Sequence, residues 1–167
     1  MELETVIRDR YSVRKFKDDK VSVELLNKLM EISVLAPSAK NVQPLHILTL
    51  TSYDALRKIN EASPCIYNAP VVFVVCYDKN NVFNLSNGTN SGSEDASIIA
   101  THFMLEATNL GLGTCWINMF DEDKIREAFN LPINEQVVCL IDLGYSDTIP
   151  ADRHNIRKNK EEIFELK

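Results

Sequence analysis

A chain of 167 residues with 45% apolar side chains and a mean hydropathy of −0.14 can bury the core of one globular domain, expected to span residues 1–167. Its longest apolar run, Pro70 to Tyr77, falls far short of the ~20 residues a spanning helix needs, and Glu2 and Glu4 make the start unlike a signal peptide. A cytoplasmic protein with no membrane partner is therefore expected. The net charge of −6 argues against nucleic-acid binding, which needs a basic surface to neutralise phosphates.

Leu3, Val6 and Ile7 predict a short amphipathic helix ending near Arg10. RYSVRKF follows. If it is extended, Arg10, Ser12 and Arg14 point the same way and present two guanidinium forks and a hydroxyl to one anion. The same spacing also suits a solvated edge segment anchored by Val13 and Phe16. Val23 to Leu35 has helical spacing, with Ser22 as cap and Pro37 as stop. In APSAKNVQP, Ala36 to Pro44, two prolines bracket Ser38, Asn41 and Gln43, which reads either as a helix stop and loop or as a rigid display of donors and acceptors.

Leu45 to Thr51 predicts a strand, and Ser52 with Asp54 starts a helix through Ile59. Val71 to Tyr77 predicts a central strand buried on both faces. Asp78 to Ser93, rich in Asn, Ser and Gly, reads as one long surface loop. Ser93 is expected to cap a long helix with Glu94 and Asp95 in its first turn and an apolar stripe of Ala96, Ile99, Ala100, Phe103, Met104, Ala107 and Leu110. That helix packs either in an ordinary core or against a second subunit.

Gly111 is the expected helix stop. The GxG of Gly111 and Gly113 follows a helix, so a dinucleotide fingerprint is contradicted; it marks either a tight turn or a close approach of backbone to a planar ligand. Trp116 and Ile117 then enter a buried segment. Asp121 to Phe129 predicts a helix closed by Asn130 and Pro132, and Val137 to Leu143 a third strand. The irregular order of strands and helices favours α+β over a doubly wound sheet.

Cys65, Cys76, Cys115 and Cys139 form no CxxC pair and read as buried thiols. His46, His102 and His154 have no metal-ligand spacing, so no metal site is expected, and no hydrolase or phosphate-loop motif is present. From Arg8 to Lys20 six basic residues face three acidic ones, and from Ala151 to Lys160 four face one. Two basic ends on an acidic chain suggest either an anion site assembled by folding or plain charged surface.

Taken in order, RYSVRKF, APSAKNVQP and NLGLGTCWIN resemble the nitroreductase family of FMN proteins, and Ala69 to Val71 and the RKNKEEIF stretch are similar to further landmarks of it. The resemblance implies a central, mostly antiparallel sheet flanked by helices and an intertwined homodimer with FMN in two clefts at the subunit boundary. It further implies ping-pong transfer of electrons from NAD(P)H to a nitroaromatic, a quinone or a similar small-molecule acceptor. By motif match, Arg10, Tyr11, Ser12 and Arg14 contact FMN from one subunit, at the phosphate, ribityl chain and pyrimidine edge. Pro37, Ser38, Ala39 and Asn41 approach the ring from the other. Trp116, Ile117 and Asn118 lie along the flavin near N5, and Arg157 holds phosphate. No side chain is expected as a catalytic acid or base; flavin N5 is the reactive centre, with Arg14 as the electrostatic stabiliser.

Tyr11 and Asn155 stand where relatives often carry a basic residue, and the 78–93 loop stands where longer relatives cover the pocket. A non-catalytic FMN carrier or redox sensor on the same fold is the alternative.

Overall fold

The computed structural model describes all 167 residues. Helix α1 spans Leu3–Asp9 and α2 Val23–Ser33; β1 is Leu45–Leu50, α3 Tyr53–Ala62, β2 Val71–Asp78 and α4 Gly92–Asn109. Strand β3 is Gly113–Ile117, α5 Glu122–Phe129 and β4 Glu135–Gly144. The four strands form one sheet in the order β1-β2-β4-β3, and every neighbouring pair is antiparallel.

Every residue of β2 from Val71 to Tyr77 is buried, as a strand with helices on both faces requires. Its side chains alternate between two cores. Val72, Val74 and Cys76 meet Ile59 of α3 and Ile125 of α5. Val71, Phe73 and Val75 meet Leu29 of α2 and Ala96, Ile99 and Phe103 of α4. Phe73 and Phe103 pack edge to face at 4.3 Å, a geometry that suits the ring quadrupoles.

Local chemistry sets the helix starts. The side chains of Ser22, Ser52 and Asp121 accept the backbone N–H of Leu25, Ala55 and Lys124, each at 3.2 Å. Gly111, at φ +77°, lets the chain leave α4 in a left-handed conformation that other residues adopt reluctantly.

Three expectations are corrected. Strand β3 exists where only a buried segment was expected, because GTCWI is too short to show its own alternation. Helix α2 stops at Ser33, since 3₁₀-type bonds from Leu35 and Ala36 close it before Pro37 is reached. Ser91, not Ser93, flanks the start of α4, and its hydroxyl donates to Asp95 Oδ2 at 2.8 Å instead of capping the helix. The 78–93 segment is largely the surface loop expected, exposed at 79–81 and 84–90, and it is anchored: Asn84 and Asn90 are bridged, the Ser91 N–H donates to Phe83 O at 3.0 Å, and Val82 is buried.

A buried carboxyl interrupts the apolar run of β4. Asp142 of β4 faces Cys115 and Val72 across the sheet, is 0% exposed, and has no hydrogen-bond partner for either carboxyl oxygen. Burial pushes its pKa up to about 9, so the folded chain holds a proton there at pH 7. The unfolded carboxyl releases that proton near pH ~3.9. Folding therefore takes up a proton between the two values, and stability falls as pH rises from about 4 to about 9. Asp142→Asn is expected to match the native chain in urea unfolding at pH 4 and to exceed it by several kcal/mol at pH 9. Parallel pH profiles for the two proteins would contradict this account of Asp142.

Candidate functional site

After α1 the chain runs extended along the outer edge of β3. Ser12 is bridged to Thr114, the Val13 N–H donates to Thr114 O at 2.9 Å, and the Lys17 N–H donates to Tyr145 O at 2.9 Å. Val13 and Phe16 are the buried anchors. Gly113 makes room for the first of them, since a Cβ there would lie 2.6 Å from Val13 Cγ2. The close approach that this glycine permits is thus to a protein side chain.

The polar groups flank the first anchor. Arg10, Tyr11 and Ser12 are half-buried and Arg14 is exposed. Arg8, Arg57 and Arg126 are paired with carboxylates at 2.5–3.0 Å, whereas Arg10 and Arg14 have no acidic partner. Both guanidiniums act on the same group. Burial and then Asp142 push the Cys115 thiol up to about 11, and Arg14 and Arg10 oppose the rise. Burial, with Cys65 beside it, also raises the Tyr67 hydroxyl, and Arg14 again opposes. Two arginines without carboxylate partners thus stand on the segment that borders β3. The Tyr11 hydroxyl is already engaged, with Ser146 Oγ at 2.8 Å and Thr148 O at 2.7 Å.

Farther along β3, Ile117 is buried and has only its backbone to present, while Trp116 is half-buried. The Trp116 indole N–H donates to Asn118 Oδ1 at 2.7 Å. That bond fixes the exposed amide so that its NH₂ donors face away from the indole, with no partner within the chain.

The loop holding Pro37, Ser38, Ala39 and Asn41 lies elsewhere. Ser38 is extended and Ala39–Asn41 form a single 3₁₀ turn. Lys40, Asn41 and Gln43 have φ of +49°, +57° and +53°, conformations that each cost a non-glycine residue about 1 kcal/mol or more. Ser38 Oγ accepts the Gln43 N–H at 3.0 Å, and the Gln43 side chain donates to Asn41 Oδ1 at 2.9 Å. The Lys40 ammonium sits 4.7 Å from the centre of the Phe83 ring. Asp95, which the sequence marked only as a first-turn acid, is 2% exposed and accepts the Ala39 N–H at 2.8 Å through Oδ1. Beside the loop a cavity of about 330 Å³ opens between α2, α4 and β1, lined by Met30, Ser38, Gln43, Ile47 and Phe103.

The two groups of site residues stand apart in one protomer. The loop is tied to Asp95 at the start of α4, and the arginine segment to the strand that begins just past its end. From Asp95 to Asn109 the helix rises about 20 Å. Buried strands β2 and β4 separate them in the other direction.

Arg157 lies in the tail, where its guanidinium donates to the carbonyls of His154 and, at 2.8 Å, Ile156. The tail is docked on α1, with the His154 ring 3.1 Å from Arg8 O. Arg157 lines a hollow of about 1020 Å³ with Arg8, Tyr11 and Asn155, a hollow to which Arg10, Ser12 and Arg14 do not contribute.

Comparison with known proteins places this arrangement. The profile of the Nitroreductase family matches residues 7–66 and 62–145. The chain is similar to a nitroreductase family protein from Clostridium difficile, with 34% identity, a TM-score of 0.93, and 99% of this chain and 98% of that one covered. An FMN-dependent nitroreductase from the same species aligns at 29% identity with a TM-score of 0.77, over 93% of this chain and 98% of that one. An FMN reductase (NAD(P)H) of Bacillus subtilis is 30% identical over 166 residues, which cover 88% of this chain and 65% of the relative. Since the matched residues run from the arginine segment through the loop and α4 to the end of β4, the chain belongs to the nitroreductase family.

Proposed function

We propose that this chain is an FMN-dependent NAD(P)H oxidoreductase acting as a homodimer, with each FMN held between the arginine segment of one copy and the Pro37–Gln43 loop of the other. The observation that carries this reading is the separation of the two groups by the length of α4 within one protomer. A single ring meets both only when a second copy supplies the other half. The relatives named for FMN support the cofactor, and so does the donor set, with two guanidiniums lacking carboxylate partners and an amide whose NH₂ is unspent. Exposed Leu3, Ile7, Val34, Leu35, Ile163 and Phe164 supply apolar surface that a partner copy would cover.

Bound FMN supplies two-electron transfer, taking electrons from NAD(P)H and passing them to an acceptor in a second, separate encounter. The chain's contribution is orientation and charge. Arg10 and Arg14 meet phosphate and pyrimidine edge with bidentate donors, Ser12 meets the ribityl chain, and the backbone of Ile117 and Asn118 borders the reactive edge. Arg157 has to turn from its own carbonyls to reach a phosphate. Arg14 favours negative charge that accumulates at the pyrimidine edge on reduction, because a fixed cation there lowers its cost. Nitroaromatics and quinones, flat and electron-poor, are the acceptors proposed for the shared face.

Arg14→Ala is expected to weaken FMN binding by roughly tenfold or more, the scale of lost charge-assisted hydrogen bonds, and to move the flavin midpoint potential downward. An unchanged potential and reduction rate would remove Arg14 from this role. In anaerobic stopped-flow mixing, NADH or NADPH should bleach the yellow protein within seconds, and a nitroaromatic or quinone should restore the colour after the oxidised nicotinamide has left. Bleaching over many minutes would favour the non-catalytic carrier or sensor.

A further inference from the structure

We infer that Asp95 is a positioning residue for the cofactor bound across the subunit boundary: its buried carboxylate holds the Ala39 N–H and so fixes the Ser38–Asn41 surface presented to the partner's flavin. The inference rests on the proposed two-copy FMN site and adds a residue to it.

Between Pro37 and Gln43, the Ala39 bond to Asp95 is the one hydrogen bond to another part of the chain; the others close within the loop. Three non-glycine residues there hold left-handed backbone, so internal bonds alone leave the loop many ways to relax. Asp95 is 2% exposed, and its second oxygen is occupied by the hydroxyl of Ser91, itself 1% exposed. Ser91 ends the anchored 78–91 segment whose Phe83 ring lies under Lys40. One carboxylate therefore joins α4, the loop and the segment that meets the loop's outer side. Its place in the first turn of an 18-residue helix suits negative charge. Nothing about Asp95 brings it to the ring, so its effect passes through the Ala39 backbone.

The test measures FMN affinity by fluorescence titration of purified dimers. Asp95→Ala is expected to weaken FMN by about tenfold or more, while Asp95→Asn, which keeps an acceptor for Ala39 and can donate to Ser91, stays within a few-fold of the native protein. Ala39→Pro deletes the same N–H from the other side. Proline is tolerated at the first position of a turn, and the preceding Ser38 is already extended. It is expected to reproduce the loss even if Asp95→Ala fails to fold, and the double variant to lose no more than either single one.

Co-expressed dimers carrying Asp95→Ala in one copy and Arg14→Ala in the other separate positioning from general damage. Half of their sites should bind FMN with native affinity, because one boundary then combines an intact segment with an intact loop. If Asp95→Ala and Ala39→Pro homodimers bind FMN like the native chain, the inference is overturned and the proposed function stands; if both sites of the mixed dimer stay weak, the division of one site between two copies is overturned along with it. If the native protein itself takes up no FMN, it is the proposed function that fails.

Discussion

Distance inside one protomer governs the rest of the structure. The arginine segment is stitched to the outer edge of β3, and the Pro37–Gln43 loop is tied to the far end of α4. Neither tether can slide. Val13 fits into space that only the missing Cβ of Gly113 leaves, and the Ala39 bond ends on a carboxylate sealed in the core. The interior between them is close-packed β2 and β4, so no planar molecule passes through. Two polar surfaces, each half of the proposed flavin site, thus stand apart within one protomer.

This division assigns different work to different layers. Core residues on both faces of β2 set the spacing, and small side chains at Ala96, Ala100 and Ala107 let α4 lie close on the sheet. The edges carry the chemistry, because an edge strand has unused backbone groups and room for charged side chains on one side. Arg10 and Arg14 remain without carboxylate partners there, although α1 next to them and the helices elsewhere pair their arginines. Guanidiniums without a carboxylate partner are better accommodated where an anion joins them, which is the physical reason for a binding role at Arg10 and Arg14.

Much of this was legible in the amino-acid order. The continuous β-branched run of β2, the caps at Ser22 and Ser52, and the stop at Gly111 each act through neighbours in sequence, and each stands in the fold. Strand β3 has no such local signature, since five residues after a glycine-rich turn carry too little period to read. Ser91 and Ser93 are equivalent as helix starts in sequence, and only the fold shows that Ser91 flanks α4 and gives its hydroxyl to Asp95. The role of Asp95 itself depends on a partner 56 residues away, which no local pattern encodes. Asp142 hid for the opposite reason: among Leu140, Ile141 and Leu143 a single carboxyl does not disturb a strand pattern, yet its burial changes the proton balance of folding. The matching arginines were visible as a spacing, but their freedom from ion pairs, and the engagement of Arg157 with its own turn, were not.

The central claim is that one FMN site needs two chains, and linkage tests it most directly. A ligand held by both copies must tighten their association by the factor through which association tightens the ligand. Sedimentation of the apo chain over a dilution series, repeated with saturating FMN, measures that factor. The account predicts that FMN moves the monomer–dimer transition to much lower protein concentration. Monomers that bind FMN at full stoichiometry, with an unmoved transition, would contradict it.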